Sequence, residues 1–133
     1  MNTVIFACVQ NAGRSQMAAA FFEQIANPEL ARARSAGTRP AERVHLEVVD
    51  AMREIGIDLS AARPTLLTHE LAKDASWLIS MGCGDECPVL PEVRREDWPL
   101  PDPAGQPVGR VREIRDEIRE RVWKFVAEHG WSR

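Results

Sequence analysis

Strand-like and helix-like segments alternate along this 133-residue chain, which predicts an α/β fold: a parallel sheet with helices on both faces. Three observations carry that expectation. Residues 3–7, Thr-Val-Ile-Phe-Ala, form a β-prone run with little polar interruption, as a strand buried on both faces requires. Residues 15–25 then set Met17, Phe21 and Ile25 four residues apart on one helical face. From Val108 onward, Val111, Ile114, Ile118, Val122 and Phe125 mark a long amphipathic helix that stops at Gly130.

The intervening elements follow in order. Asn27-Pro28 closes the first helix, and residues 33–35 read as a short second strand ending at Gly37. Residues 42–55 repeat the helical pattern through Val44, Val48, Met52 and Ile55, with Gly56 as the stop. Thr68 is placed to cap a short helix running to Ala75. Residues 77–81 read as a buried strand terminated by Gly82, and residues 95–98 as a further strand. The length is that of one ordinary domain, so a single domain over residues 1–133 is expected.

Composition excludes several classes. The net charge of −3, with both signs interspersed, builds no basic face for nucleic acid. The arginines of the last helix, Arg110, Arg112, Arg115, Arg119 and Arg121, alternate with Asp116, Glu117 and Glu120 as on a solvated face. No run approaches a membrane span, and residues 3–7 lack the basic flank and length of a signal peptide, so a cytoplasmic protein is expected. Three cysteines, an odd number, make no closed disulfide framework, so their placement is read for chemistry.

In sheets of this kind ligands bind at the carboxyl ends of the strands, where the strand order reverses. Cys8, Cys83 and Asp102 each follow a proposed strand, which would bring them to one edge. The segment Cys8-Val9-Gln10-Asn11-Ala12-Gly13-Arg14-Ser15 lies between strand and helix. A loop curling into a helix N-terminus aims successive peptide N–H groups inward and suits a tetrahedral oxyanion. The same field favours a thiolate at Cys8. Arg14 supplies a planar fork for two anion oxygens. Ser15 is placed to donate to the Cys8 sulfur, while Asn11 and Gly13 suit the left-handed turns of a tight loop. Val9, Gln10, Asn11, Ala12, Gly13 and Arg14 are therefore the expected substrate-binding segment. The competing view, a buried structural thiol beside a surface arginine, does not account for the agreement of strand, loop and helix.

Asp102 stands between Pro101 and Pro103, whose fixed backbone would hold its carboxyl in place; an Asp-Pro pair read alone is also a common turn. Cys83 and Cys87 share a glycine-containing loop after a strand. Reduction of an oxyanion by two electrons matches the two electrons released when two thiols become a disulfide. Four residues of extended chain span about 13 Å, beyond disulfide reach, so these two thiols meet only if the loop bends. Zinc binding and inert packing are the alternatives; His45, His69 and His129 show no metal-ligand spacing with the pair, and no metal is expected.

The loop CVQNAGRSQMA, together with Ser35-Ala36-Gly37-Thr38, Asp102-Pro103-Ala104-Gly105 and the order of elements, resembles the low-molecular-weight protein tyrosine phosphatase superfamily, and particularly its arsenate reductase branch. The resemblance covers nearly the whole chain. It implies a four-stranded parallel sheet, Cys8 as nucleophile, Arg14 and loop amides as oxyanion ligands, and Asp102 as general acid. It further implies a relay in which Cys8 attacks arsenic, Cys83 attacks the Cys8 adduct to release arsenite, and Cys87 resolves the disulfide between Cys8 and Cys83. The implied substrate is arsenate, with phosphate or sulfate as mimics. No bound cofactor is implied; an external reductant is required, whether thioredoxin, a mycoredoxin-like protein or a low-molecular-weight thiol.

The chain departs from thioredoxin-coupled members in the shorter spacing of Cys83 and Cys87, which leaves the order of exchange and the reductant open. Ala19 stands where some relatives place a carboxylate that helps bind potassium, which counts against a potassium site. The alternative function is hydrolysis of phosphate esters through a Cys8 phosphoenzyme, with a non-catalytic oxyanion-binding or redox-sensing module behind it. Against the phosphatase stand the absence of tyrosine and the small residues after Asp102, since an aryl phosphate prefers aromatic walls. Trp77 and Trp123 fall in apolar patterns expected to be core, and Trp98 is expected to border the pocket.

Overall fold

The computed structural model describes residues 1–82, 87, 90 and 92–133. Strands β1 (Asn2–Cys8), β2 (Ala31–Gly37), β3 (Trp77–Ser80) and β4 (Arg94–Asp97) form one sheet in the order β2-β1-β3-β4. Every neighbouring pair is parallel. Helices α1 (Arg14–Ile25), α2 (Leu46–Arg53), α3 (His69–Ala72) and α4 (Val108–Glu128) complete the layers. The expected four-stranded parallel sheet is thus present.

The uninterrupted apolar run of β1 is explained by its central place. Val4, Phe6 and Cys8 pack into one core with Met17 and Phe21 of α1, Val48 of α2 and Ile114 and Ile118 of α4. Ile5 and Ala7 face the opposite layer with Leu67, Ala72, Leu78 and Cys87. A strand alternating between two buried layers cannot show a polar face. Edge strand β4, Arg-Arg-Glu-Asp, is exposed throughout, the charged kind of edge that resists pairing with other chains. Among the described residues no helix is long and apolar enough to cross a membrane.

Four expectations are corrected here. The helix expected from residue 42 begins at Leu46, because residues 38–45 are spent hydrogen-bonding the loop after β1. Trp123 is 57% exposed rather than core: the buried stripe of α4 runs through Val111, Ile114, Ile118, Val122, Phe125 and Val126, and position 123 lies about 100° around the helix from 122. Trp98 is buried against Phe6 and Phe125, with its indole N–H on Glu96, and does not reach the cavity at the end of β1. Arg115 is not on a solvated face. It is 7% exposed, donates to the Ala51 carbonyl and to Glu54, and so ties α4 to α2. The hydrogen bonds from Arg112, then those from Arg115, hold the Glu54 carboxyl at a pKa of about 2.

The remaining elements stand close to expectation. Thr68 caps α3 by accepting from the Leu71 N–H at 3.0 Å, although the helix ends at Ala72 rather than Ala75. The second strand is longer than expected, seven residues in register with all of β1. Its alternating Arg32 and Arg34 hid it in the sequence, since the edge position of β2 leaves them exposed.

Candidate active site

The strand order reverses between β1 and β3, with β2 on one side of the pair and β4 on the other. The gap beyond their carboxyl ends is the position this class of sheet reserves for ligands. Cys8 is the last residue of β1 and Arg14 the first of α1, so residues 9–13 form the loop over that gap.

The loop is held from outside. The carbonyls of Cys8, Val9, Gln10 and Ala12 accept from the backbone N–H groups of Thr38, Arg39, Ala41 and His45 at 3.2, 2.8, 2.9 and 3.0 Å. The Asn11 carbonyl accepts from the Gln16 side-chain amide at 3.1 Å. In a trans peptide the carbonyl and the following N–H point in opposite directions. Five carbonyls committed outward therefore turn the next N–H groups inward, toward the cavity. Gly37 makes this wrapping possible, because a Cβ there would lie 2.6 Å from the Val9 carbonyl and 2.8 Å from the Asn11 nitrogen.

Beneath the loop, Cys8 is 3% exposed and is a free thiol. Its sulfur lies 2.9 Å from the Ser15 hydroxyl. The neighbouring network suits a bond donated by Ser15. Asn11 Oδ1 accepts from the Thr65 N–H at 2.8 Å and from Gln16 at 3.2 Å, which turns Asn11 Nδ2 to donate to Ser15 Oγ at 2.7 Å. While accepting from Asn11, the Ser15 hydroxyl keeps its own proton to give to the sulfur, the arrangement that suits a thiolate at Cys8. Asn11 adopts the expected left-handed conformation, φ 51°. Gly13 does not, with φ −146°. Its reason is space: a Cβ at Gly13 would lie 3.0 Å from Pro103 Cγ and 3.6 Å from Val48 Cγ2.

Arg14 crosses the mouth with its guanidinium mostly covered. Nη1 donates to the Leu100 carbonyl at 2.9 Å, and Nη2 lies 3.9 Å from Asp102 Oδ2. Gly82 lies against it, so close that a Cβ there would meet Arg14 Nη1 at 2.3 Å, and its φ of +101° disfavours any side chain. Asp102 is more exposed, with Oδ1 accepting from the Ala104 N–H at 3.0 Å.

Cys8, Val9, Gln10, Ala12, Gly13, Arg14, His45, Asp102 and Ala104 line one open cavity of about 340 Å³. The structure thus brings Cys8, Arg14 and Asp102 together, with Ser15 behind the thiol. Cys87 is not among the lining residues. It is buried in the opposite layer with Leu67, Ala72 and Leu90, and is disulfide-bonded. Cys83 lies outside the described residues. A larger groove of about 490 Å³ between α1 and α4 is lined by Gln24, Asp116, Arg119 and Trp123 among others, with no thiol among the described residues that line it.

The sequence reading missed His45, Ala104, Gln16, Thr65, Gly37 and Gly82 as parts of the site. Gly82 and Gln16 each work through a contact distant in sequence, which no local pattern shows.

A cysteine and an arginine on a strand–loop–helix crown, faced by an aspartate, make an arrangement suited to a tetrahedral oxyanion. Residues 3–130 match the low molecular weight phosphotyrosine protein phosphatase family, and the chain belongs to it. Within it, the chain is similar to proteins named arsenate reductases. It is 41% identical over 121 residues to a putative arsenate reductase of Halobacterium salinarum, covering 88% of this chain and 85% of that one. A thioredoxin-dependent arsenate reductase of Corynebacterium glutamicum superposes with a TM-score of 0.83 at 36% identity; the match covers 96% of this chain but only 61% of that one. An arsenate reductase in a phosphate-binding state superposes with a TM-score of 0.80 at 33% identity, covering 96% and 98% of the two chains.

Proposed function

We propose that the protein reduces arsenate to arsenite, with Cys8 as nucleophile and Cys83 and Cys87 carrying the oxidation away. The observation that carries the reading is a free thiol at the base of an inward-turned peptide loop, with Arg14 and Asp102 at the mouth of the same cavity. The arsenate reductases to which the chain is similar support the choice of oxyanion.

In this reading the loop N–H groups and Arg14 hold three arsenate oxygens, while the Cys8 thiolate attacks arsenic. The S–As bond forms as one As–O bond breaks, and Asp102 gives the departing oxygen a proton, so that it leaves as water. The Cys83 thiolate then attacks the Cys8 sulfur. A disulfide forms, the electron pair of the S–As bond passes to arsenic, and arsenic(V) leaves as arsenite. Cys87 next attacks Cys83, returning Cys8 as a thiolate and placing the disulfide between Cys83 and Cys87. An external thiol reductant, either a thioredoxin-like or mycoredoxin-like protein or a small thiol, restores that pair. A free Cys8 together with a disulfide-bonded Cys87 is the distribution in which such a relay ends.

The packing of Cys87 away from the cavity supports its place as the later thiol. Cys87→Ser is therefore expected to complete one arsenate reduction and stop with a disulfide between Cys8 and Cys83. Cys83→Ser is expected to form no such internal disulfide and to depend on added thiol for arsenite release. Peptide mass spectrometry after one equivalent of arsenate and alkylation separates these outcomes. An early disulfide between Cys8 and Cys87 in the wild type would reverse the two roles.

A further inference from the structure

Among the described residues, His45 is the one ring in the lining of the cavity, and the reduction chemistry proposed above does not use it. Three contacts fix it. Its backbone N–H donates to the Ala12 carbonyl at 3.0 Å, tying the start of α2 to the anion loop. Its Nε2 lies 3.1 Å from Gln10 Oε1, so with a proton on that nitrogen it donates to the second residue of the loop. Its Nδ1 lies 4.0 Å from Glu47 Oε1, and the ring is only 24% exposed. The His45 and Gln10 side chains therefore join α2 to the loop along one side of the mouth. The segment 102–104 forms the other side, and the two approach each other at Gly13, within 3.0 Å of Pro103 and 3.6 Å of Val48 for a Cβ placed there.

A bare tetrahedral anion needs only the loop N–H groups and Arg14. A phosphate ester carries a further substituent on the oxygen that Asp102 would protonate, and the cavity that substituent must leave is lined by Ala104 and His45 as well as Asp102. Ala104 offers almost no bulk there, and His45 carries the one ring among the described lining residues. We infer that His45 is a specificity-determining residue: braced by Gln10 and Glu47, it walls the mouth against esters and restricts the site to unsubstituted oxyanions. The inference rests on Cys8 acting as proposed above.

The test uses the full chain and two reactions that share Cys8. Hydrolysis of para-nitrophenyl phosphate forms a Cys8 S–P bond as the ester P–O bond breaks, Asp102 protonates the nitrophenolate, and water then releases inorganic phosphate and the thiol. Single-turnover thiol loss with arsenate reads the reduction. His45→Asn shortens the side chain while keeping a residue favoured at this helix cap, so the fold is retained. It is expected to raise the ratio of the ester kcat/KM to the arsenate rate about tenfold or more. His45→Gln, which restores bulk and an amide able to reach Gln10, is expected to return that ratio toward wild type. Equal losses in both reactions would make His45 a support for the loop and overturn the inference, as would no change in either. Failure of the wild type itself to lose thiols with arsenate would instead remove the reading beneath it.

Discussion

Cys8→Ser is expected to abolish arsenate-dependent thiol oxidation, a loss of more than about a thousandfold, and to leave the fold intact. The serine hydroxyl is close in size to the thiol, and Ser15 remains within hydrogen-bonding distance of that position. The change in stability is expected to be about 1 kcal/mol or less. Chemically it is drastic. An alkoxide at position 8 needs a base to take its proton, and the neutral Ser15 hydroxyl that faces it is no such base. A serine also cannot take part in a disulfide, so even a substrate adduct would have no exit by reduction. Steady-state arsenite formation checks the first statement and thermal unfolding the second. Retained turnover in a variant of normal stability would remove Cys8 from the centre of the mechanism.

Arg14→Lys is expected to lower kcat/KM for arsenate by about a hundredfold, although the charge is kept. Arg14 reaches the Leu100 carbonyl with one guanidinium nitrogen while the other faces Asp102, so its plane is set before an anion arrives. An ammonium group is a point charge on a flexible stem; it reproduces neither the two-point geometry nor the fixed orientation. Gly82 leaves room for the guanidinium, which lies where a Cβ at that position would be. Calorimetric titration with inorganic phosphate is expected to show correspondingly weaker binding by the variant. Equal affinity in the two proteins would show that the anion is held by the loop N–H groups alone.

Much of this arrangement was legible in the sequence because its signals are local. The run from Thr3 to Ala7, the loop from Cys8 to Ser15 and the stripe of α4 each lie within one continuous segment, so periodicity and residue type were enough to place them. What stayed hidden depends on partners far along the chain. The late start of α2 follows from bonds between residues 38–45 and the loop after β1. The burial of Arg115 follows from the approach of α4 to Ala51 and Glu54. Trp98 was expected near the pocket because it precedes Asp102 in sequence, yet the chain turns between them and the ring packs on Phe6. His45 carried no motif at all; it becomes part of the site because its backbone meets Ala12 and its ring meets Gln10.

The central claim is that the thiols of this chain supply the electrons that reduce arsenate. The most direct test is a thiol count on the fully reduced chain, under anaerobic conditions and without added reductant, before and after one equivalent of arsenate, with arsenite measured in the same samples. The account predicts two thiols lost for each arsenite formed, because arsenic(V) takes two electrons and one disulfide supplies them. An unchanged thiol count with no arsenite formed, in protein that still binds the anion and hydrolyses phosphate esters, would contradict it.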